Sequence, residues 1–443
     1  MIPRSLTSQD QVTRLFPASS PLYPLVAPTF DTVRQRLDGL CISSIWIDAD
    51  LDPSRAGYRP SYDGLHGRGS STMMPFIASW MSTGPGHEGR GNQVLFLDTI
   101  DRSLVDYALE IGLLGEHSFV SSLDELNRAV LASGKKLYSI DDIGTDFDEH
   151  VVISTQLSKW LNSKDELASI TAFAPRELIK DMHEVTLDDY HAIHAPGCRV
   201  FLKTNNTETA GLGVQICNDA DEFKRHLDAI REQQRQFSLN KTLIIQREIL
   251  GRNRSFNLFI DPATPDCIQV TALTDQLVEA DGKTYRASVN YPITAANLEH
   301  IGPAIMDMIG RIWARHPEAF GFVMCDFFET SDGQITIYDP GIRPSGNTAT
   351  AMARLLARKL TGRDSYTSNF FLDIGEDGLD YAELRRRLGP LSTLEHLAQH
   401  GEGVLPWGWN ALCGRGLLIG VAPDEAAYAH LMVRIREATG AQA

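Results

Sequence analysis

Positive charge is in short supply in this chain. Lys and Arg number 41 against 57 Asp and Glu, a formal charge of −16. Such a balance argues against a nucleic-acid partner or an anionic membrane surface, which would repel it. Cysteine is sparse as well: Cys41, Cys198, Cys217, Cys267, Cys325 and Cys413 are scattered with no CxxC pair and no framework spacing. That pattern speaks against zinc or disulfides and for buried thiols in a reducing cytoplasm. No uninterrupted run of 18 apolar residues occurs, and the opening MIPRSLTSQDQVTRLF has no continuous apolar stretch. The expectation is a soluble, cytoplasmic protein with no membrane partner. A GxxxxGK[ST] phosphate loop is missing too. Gly84-Pro-Gly86-His-Glu-Gly89 formally matches GxGxxG, but a helical stretch precedes it and a strand follows. A dinucleotide fingerprint needs the reverse order, so this segment reads as a surface loop. Low-complexity tracts and fixed-period repeats are also lacking.

What is present is ordinary globular material, 43% hydrophobic and 22% charged over 443 residues, enough for two to four domains. Residues 1–150 alternate strand-like runs (ISSIWID, NQVLFLDTI, KKLYSID) with helical ones (DRSLVDYALEIGLLG, SLDELNRAVLASG), which predicts an α/β module. Residues 151–360 are mixed α and β, with strands at RVFLKTN, TLIIQREI, SFNLFID and IQVTALTDQLVE. Residues 361–443 read as a small α/β domain with a hairpin around Gly414 and a terminal helix.

The most informative stretch is GFVMCDFFETSDGQITIYDPGIRPSGNT, residues 321–348. Two alternating apolar runs flank Asp332-Gly333, which predicts a hairpin with a two-residue turn. Counted outward from that turn, Asp326 falls directly opposite Asp339. Opposed side chains on one face lie ~4.5–5.5 Å apart, where two like charges repel. A cation between them relieves the repulsion, and hard oxygen ligands beside substrate phosphates suit Mg²⁺. The plainer reading is two solvated aspartates on an exposed sheet face.

Upstream, Lys203 ends the strand RVFLKTN, and the loop NTETAGLG follows before a second β-like run. Backbone N–H groups of such a loop can cradle phosphates beside a lysine point charge; a hairpin with a long polar turn accounts for it equally. A further run of β-formers ends in Gln246-Arg247-Glu248-Ile249, where a chain edge can hydrogen-bond an adenine.

The order of these features resembles the ATP-grasp superfamily, whose members hold Mg-ATP between two α+β lobes. A lysine at a helix start (Lys164 in LNSKDEL) precedes the strand lysine with its Gly-rich loop, the hinge segment, and the double-carboxylate hairpin with Arg343. The resemblance covers about residues 155–355. It implies an α/β chain of ATP-grasp fold: an N-terminal pre-ATP-grasp domain over 1–150, a two-lobed core over 151–360 hinged near 246–249, and a C-terminal α/β domain over 361–443. It implies ATP and Mg²⁺ as cofactors. Lys164 and Lys203 would contact phosphates, and Thr209, Gly211 and Gly213 would lie in the loop over them. Gln246, Arg247, Glu248 and Ile249 would line the adenine site. Asp326 and Asp339 would bind Mg²⁺, and Arg343 would stabilise charge on a reacting acyl-phosphate.

One departure stands out. The family's E-x-N-x-R reads Asp339-Pro-Gly341-Ile-Arg343 here. Asn347 or a water could fill the place of the missing Asn, or the site is degenerate. Length and flanking regions are similar to the pheganomycin-type peptide ligases, which implies a carboxylate–amine ligase joining an unusual amino acid to a peptide amine in natural-product (antibiotic) biosynthesis. A homodimer is common in this class. The alternatives are another acceptor (amino acid, polyamine or thiol) and a nucleotide-binding protein without catalysis. His191 and His194 read as loop residues, Arg385-Arg386-Arg387 as a solvated helix stretch, and Trp407 and Trp409 as core.

Overall fold

The computed structural model describes residues 12–43, 45, 76–85, 91–139, 145–205, 214–237, 241–278 and 285–441. Three sheets organise them. The first is parallel, with strands in the order Glu116–Val120, Gln93–Leu97, Cys41–Ser43, Leu137–Ser139. Its crossover helices, Arg102–Glu110 and Leu123–Ser133, begin where the sequence provides acceptors for unpaired N–H groups. Asp101 Oδ1 accepts from the Ser103 amide at 2.9 Å, and Ser122 Oγ from the Glu125 amide at 3.3 Å. Gly134, with φ +64°, ends the second helix in the left-handed conformation.

The second sheet is antiparallel, in the order Leu178–Asp181, Thr242–Arg247, Val200–Thr204, Val214–Cys217. Helix Ala220–Phe237 covers one face, where Phe223, Leu227 and Ile230 pack on Val200, Leu202, Leu243 and Ile245.

The third sheet has ten strands. Its main path runs Ile335–Ile342, Gly321–Glu329, Arg252–Ile260, Ile268–Val278, Tyr285–Asn290, Tyr366–Asp373, Arg415–Ala422, Gly403–Asn410. Strand Leu25–Pro28 joins it in parallel beside Ile268, and Val12–Arg14 pairs with that strand. Strands of the C-terminal segment thus continue the sheet that bears the hairpin. One face is sealed by helix Gly302–Arg315, whose Ile305, Met308, Ile309 and Ile312 pack on Phe256, Leu258, Cys325 and Phe327. Each such side chain contributes about 1.5–3 kcal/mol on burial. Along Gly321–Glu329, burial alternates from Val323 to Phe328: Val323, Cys325 and Phe327 are buried in this core, while Met324, Asp326 and Phe328 face the other way. Helix Gly346–Thr361 lies on that other side of the sheet.

The hairpin departs from expectation in its turn. The Gly333 amide donates to Thr330 O (2.9 Å) and the Thr330 amide to Gln334 O (3.0 Å), with Gly333 at φ +83°. This is a longer loop closed by a left-handed glycine, not a two-residue turn. Near the turn Glu329 therefore pairs with Ile335, one residue out of step with the predicted register. An extra residue at Tyr338 restores the count, and Asp326 does pair with Asp339.

Trp407 and Trp409 are core: their indole N–H groups donate to Gly346 O (2.9 Å) and Leu379 O (2.8 Å). All six cysteines are free. Among the described residues no helix is long and apolar enough to cross a membrane. The loop reading of Gly84–Gly89 falls mostly on residues 86–90, outside the described residues; helix Ile77–Trp80 precedes it and strand Gln93–Leu97 follows.

Candidate active site

The bulge at Tyr338 sets the local geometry. It leaves Asp326 and Asp339 directly opposite on the sheet face away from the core. Burial, and then the facing Asp339, push the Asp326 carboxyl well above the usual aspartate range. A hydrogen bond from Gln276 Nε2 (2.5 Å) and the charges of Lys164 and Arg343 oppose the rise. Burial and the facing carboxylate outweigh the cations that surround Asp326.

Lysines approach from two directions. Lys164 lies in the turn between helices Thr155–Leu161 and Leu167–Ile170, and its Nζ is 3.6 Å from Asp339 Oδ1. Its backbone N–H donates to Asn205 Oδ1 (2.8 Å), just past the strand that carries Lys203. Lys203 Nζ stands 5.2 Å over the Tyr338 ring centre and 3.7 Å from Glu177 Oε1. Tyr338 in turn donates its hydroxyl to Asn253 Oδ1 (2.7 Å). A ring of contacts therefore runs from the second sheet through Lys203 and Tyr338 to the acid pair, and back through Lys164 and Asn205. Burial lowers the Lys203 ammonium and raises the Glu177 carboxyl, with their mutual attraction acting against both shifts.

Arg343 follows the hairpin directly, half-buried, and its charge bears on Asp326. Gln246 sits at the other end of the Lys203 neighbourhood, paired with Phe201; its side chain is buried and Nε2 has no hydrogen-bond partner among the described residues. Arg247 is exposed and its Nε donates to Ile193 O (2.8 Å). The Glu248 carboxylate is taken by Arg199, from Nε at 2.9 Å and the terminal nitrogen at 2.6 Å, tying the segment after strand Thr242–Arg247 to the Lys203 strand. Ile249 is half-buried beside it. Thr209, Gly211 and Gly213 lie outside the described residues.

Asn347 does not fill the place of the missing Asn at 341. Its Nδ2 donates to Ser255 Oγ (3.0 Å) and its Oδ1 accepts from Ser288 Oγ (2.7 Å), so the amide is committed to a buried network. Other sequence candidates fall away from the site. Arg385, Arg386 and Arg387 are each matched by an acid, Glu110, Glu383 and Glu376 respectively, and His194 stacks on Tyr190.

Sequence reasoning missed Glu177, Gln276, Tyr338 and Asn253. Gln276 could have been found only from the pairing of three strands, because Ser255 aligns with both Asp326 and Thr274. Glu177 has no pattern around it that sets it apart from a surface glutamate.

Among the described residues no group of three or more His, Cys, Asp or Glu could hold a metal ion. Two facing carboxylates with lysines alongside are instead what Mg²⁺ uses when phosphates complete its shell. An Asp326 carboxyl raised by burial and by the facing Asp339 fits that ion.

No protein-family model matches the sequence, and no curated protein matches it. Solved structures do. An ADP complex of N5-carboxyaminoimidazole ribonucleotide synthetase aligns at TM-score 0.53 and 12% identity over 78% of this chain and 90% of its own. The biotin carboxylase domain of the Hydrogenobacter thermophilus 2-oxoglutarate carboxylase, a dimer with MgADP, ADP and bicarbonate, aligns at 0.53 and 11% over 79% and 85%. Phosphoribosylamine–glycine ligase from Thermotoga maritima aligns at 0.52 and 12% over 79% and 91%. At these identities the likeness is one of fold, and all three are ATP-grasp enzymes. The chain has the ATP-grasp fold.

Proposed function

We propose that this protein is an ADP-forming, ATP-dependent carboxylate–amine ligase. The observation that carries the reading is the convergence of two opposed aspartates with two lysines, Lys203 from the second sheet and Lys164 from a turn between two helices. Phosphoryl transfer asks a protein mainly for positioning and charge neutralisation, and these residue types provide both. Lys164 and Lys203 would hold phosphates, Thr209, Gly211 and Gly213 would belong to the loop over them, and Gln246, Arg247, Glu248 and Ile249 would border the adenine. Asp326 and Asp339 would hold Mg²⁺, which when bound neutralises charge on the transferring phosphoryl group.

In this reaction a substrate carboxylate oxygen forms a bond to the γ-phosphorus while the β–γ bridge breaks, giving an acyl-phosphate and ADP. An amine then attacks the acyl carbon, phosphate departs, and one proton is released with the amide. Arg343, four residues beyond Asp339, would steady the charge that develops on the acyl-phosphate. The α/β flanks on either side of the core, similar to those of the pheganomycin-type ligases, support an unusual amino acid as the carboxylate and a peptide as the amine.

Hydroxylamine trapping tests the proposal. With Mg-ATP and a panel of amino acids, guanidino acids and peptides, the expected result is a hydroxamate together with ADP for the right carboxylate. ADP without hydroxamate for any acid points to a kinase. MgADP binding with no ADP formation on any mixture points to the non-catalytic alternative that Gly341 suggests. Once the acid is known, competing amines, polyamines and thiols identify the acceptor.

A further inference from the structure

The strand position next to the acid pair is filled from outside the hairpin. Gly341 lies two residues beyond Asp339 on one strand, so both positions face the same side of the sheet. A Cβ placed on Gly341 would come within 2.8 Å of Asn162 Oδ1, with Met324 Cγ next at 3.7 Å. The backbone of Gly341 is ordinary strand, so the glycine is not there to supply a left-handed turn. What it supplies is room, and the room is taken by an amide oxygen.

Asn162 caps the end of helix Thr155–Leu161, two residues before Lys164. Its Nδ2 donates to Ser158 Oγ one turn back (3.2 Å), which turns Oδ1 toward Gly341. The segment is pinned on both sides. Asn205 Nδ2 donates to Ser163 Oγ (3.3 Å), the Lys164 amide donates to Asn205 Oδ1 (2.8 Å), and Lys164 Nζ reaches Asp339 (3.6 Å). Two aspartates give a hard cation few protein oxygens, and an amide oxygen belongs to the same donor class as a carboxylate.

We infer that Asn162 supplies an amide oxygen to the cation held by Asp326 and Asp339, standing where a side chain at position 341 would stand. The inference rests on the ligase reading for the presence of that cation. Its consequence is a cation site built from two pieces of chain, the hairpin and the segment that carries Lys164. Cation affinity then depends on that segment being docked against Asn205 and the second sheet.

Mn²⁺ binding by the full chain in the presence of ADP, followed by electron paramagnetic resonance of free and bound Mn²⁺, tests it without turnover. Asn162→Ala is expected to weaken Mn²⁺ about tenfold, and Asn162→Ala with Gly341→Asn to return within about threefold of wild type, because the amide has only changed strands. Gly341→Asn alone is expected to stay near wild type, since its amide displaces only the far end of the Asn162 side chain. Asn162→Asp, which keeps an oxygen donor and adds charge, is expected to tighten Mn²⁺, and it tests the idea even if Asn162→Ala fails to fold. Unchanged Mn²⁺ affinity in Asn162→Ala overturns the inference alone. So does a loss that Gly341→Asn fails to recover, or weaker binding by Asn162→Asp. A wild-type chain that binds no Mn²⁺ with ADP overturns both this inference and the ligase reading.

Discussion

Two acidic regions of this molecule handle their charge in opposite ways. On helix Tyr381–Leu388, Glu383 is met by Arg386 at 2.6 Å and Arg387 at 2.9 Å, and Glu376 by Arg387 at 2.7 Å. The Glu383 carboxyl is held at about 2, first through the hydrogen bonds of Arg386 and Arg387. Both glutamates there have a base, and the cluster is in water. The hairpin is built the other way. Asp326 faces Asp339 away from the core, with Lys164 in ion-pair reach of Asp339, and burial pushes the Asp326 carboxyl upward. A protein that matches Glu383 so completely could have matched Asp326. A bound cation would offset that burial and the repulsion between the two aspartates.

Four experiments break or sharpen this contrast. The largest effect is expected from Asp326→Asn or Asp339→Asn, which should lower turnover by about 10²–10³-fold, with near-UV circular dichroism unchanged. Wild-type-like turnover in either variant would remove the metal assignment. Next, Lys203→Met leaves Glu177 buried without its partner and should cost about 3–5 kcal/mol in urea unfolding. Adding Glu177→Gln should recover most of that loss; no recovery would mean that the two are not coupled.

A pH effect follows from Asp326. Its folded pKa is raised, so its contribution to stability is fully present below the unfolded value of 3.8 and is lost as pH rises through the folded one. Without divalent cations, Asp326→Asn should therefore melt higher than wild type at pH 8, and Mg²⁺ with ADP should reverse the order. A lower melting temperature for the variant under metal-free conditions would contradict this. Glu383 has the opposite sign: its depressed value gives stability present above the unfolded 4.5 and lost as pH falls toward 2. The smallest effect belongs to Arg386→Ala. An exposed pair contributes little, so turnover should be unchanged, and a fall in turnover would place the arginine run at a substrate.

The sequence exposed the part of this design that depends on local patterning. Alternation around Asp332-Gly333 revealed the hairpin, and the pairing of Asp326 with Asp339 emerged although the turn was misread. The longer loop and the bulge at Tyr338 each displace the register by one residue, and the two displacements cancel. Helix ends marked by Asp101, Ser122 and Gly134 were equally readable. Strands Leu178–Asp181 and Tyr366–Asp373 were not, because they are ordered by neighbours far away in sequence. The same limit hid Glu177 and Gln276, whose roles exist only once two sheets or three strands are aligned. It also misdirected the reading of Gly341. The nearest asparagine along the chain was Asn347, whereas the one beside Gly341 in space is Asn162.

The central claim is that the Asp326–Asp339 pair holds Mg²⁺ for a bound nucleotide. The measurement that addresses it most directly is the melting temperature of wild type, Asp326→Asn and Asp339→Asn with ADP, with and without Mg²⁺, since a ligand that binds only the folded state raises that temperature. The account predicts a Mg²⁺-dependent rise in wild type that chelation abolishes and that both variants lack. An equal Mg²⁺-dependent rise in all three proteins would contradict it.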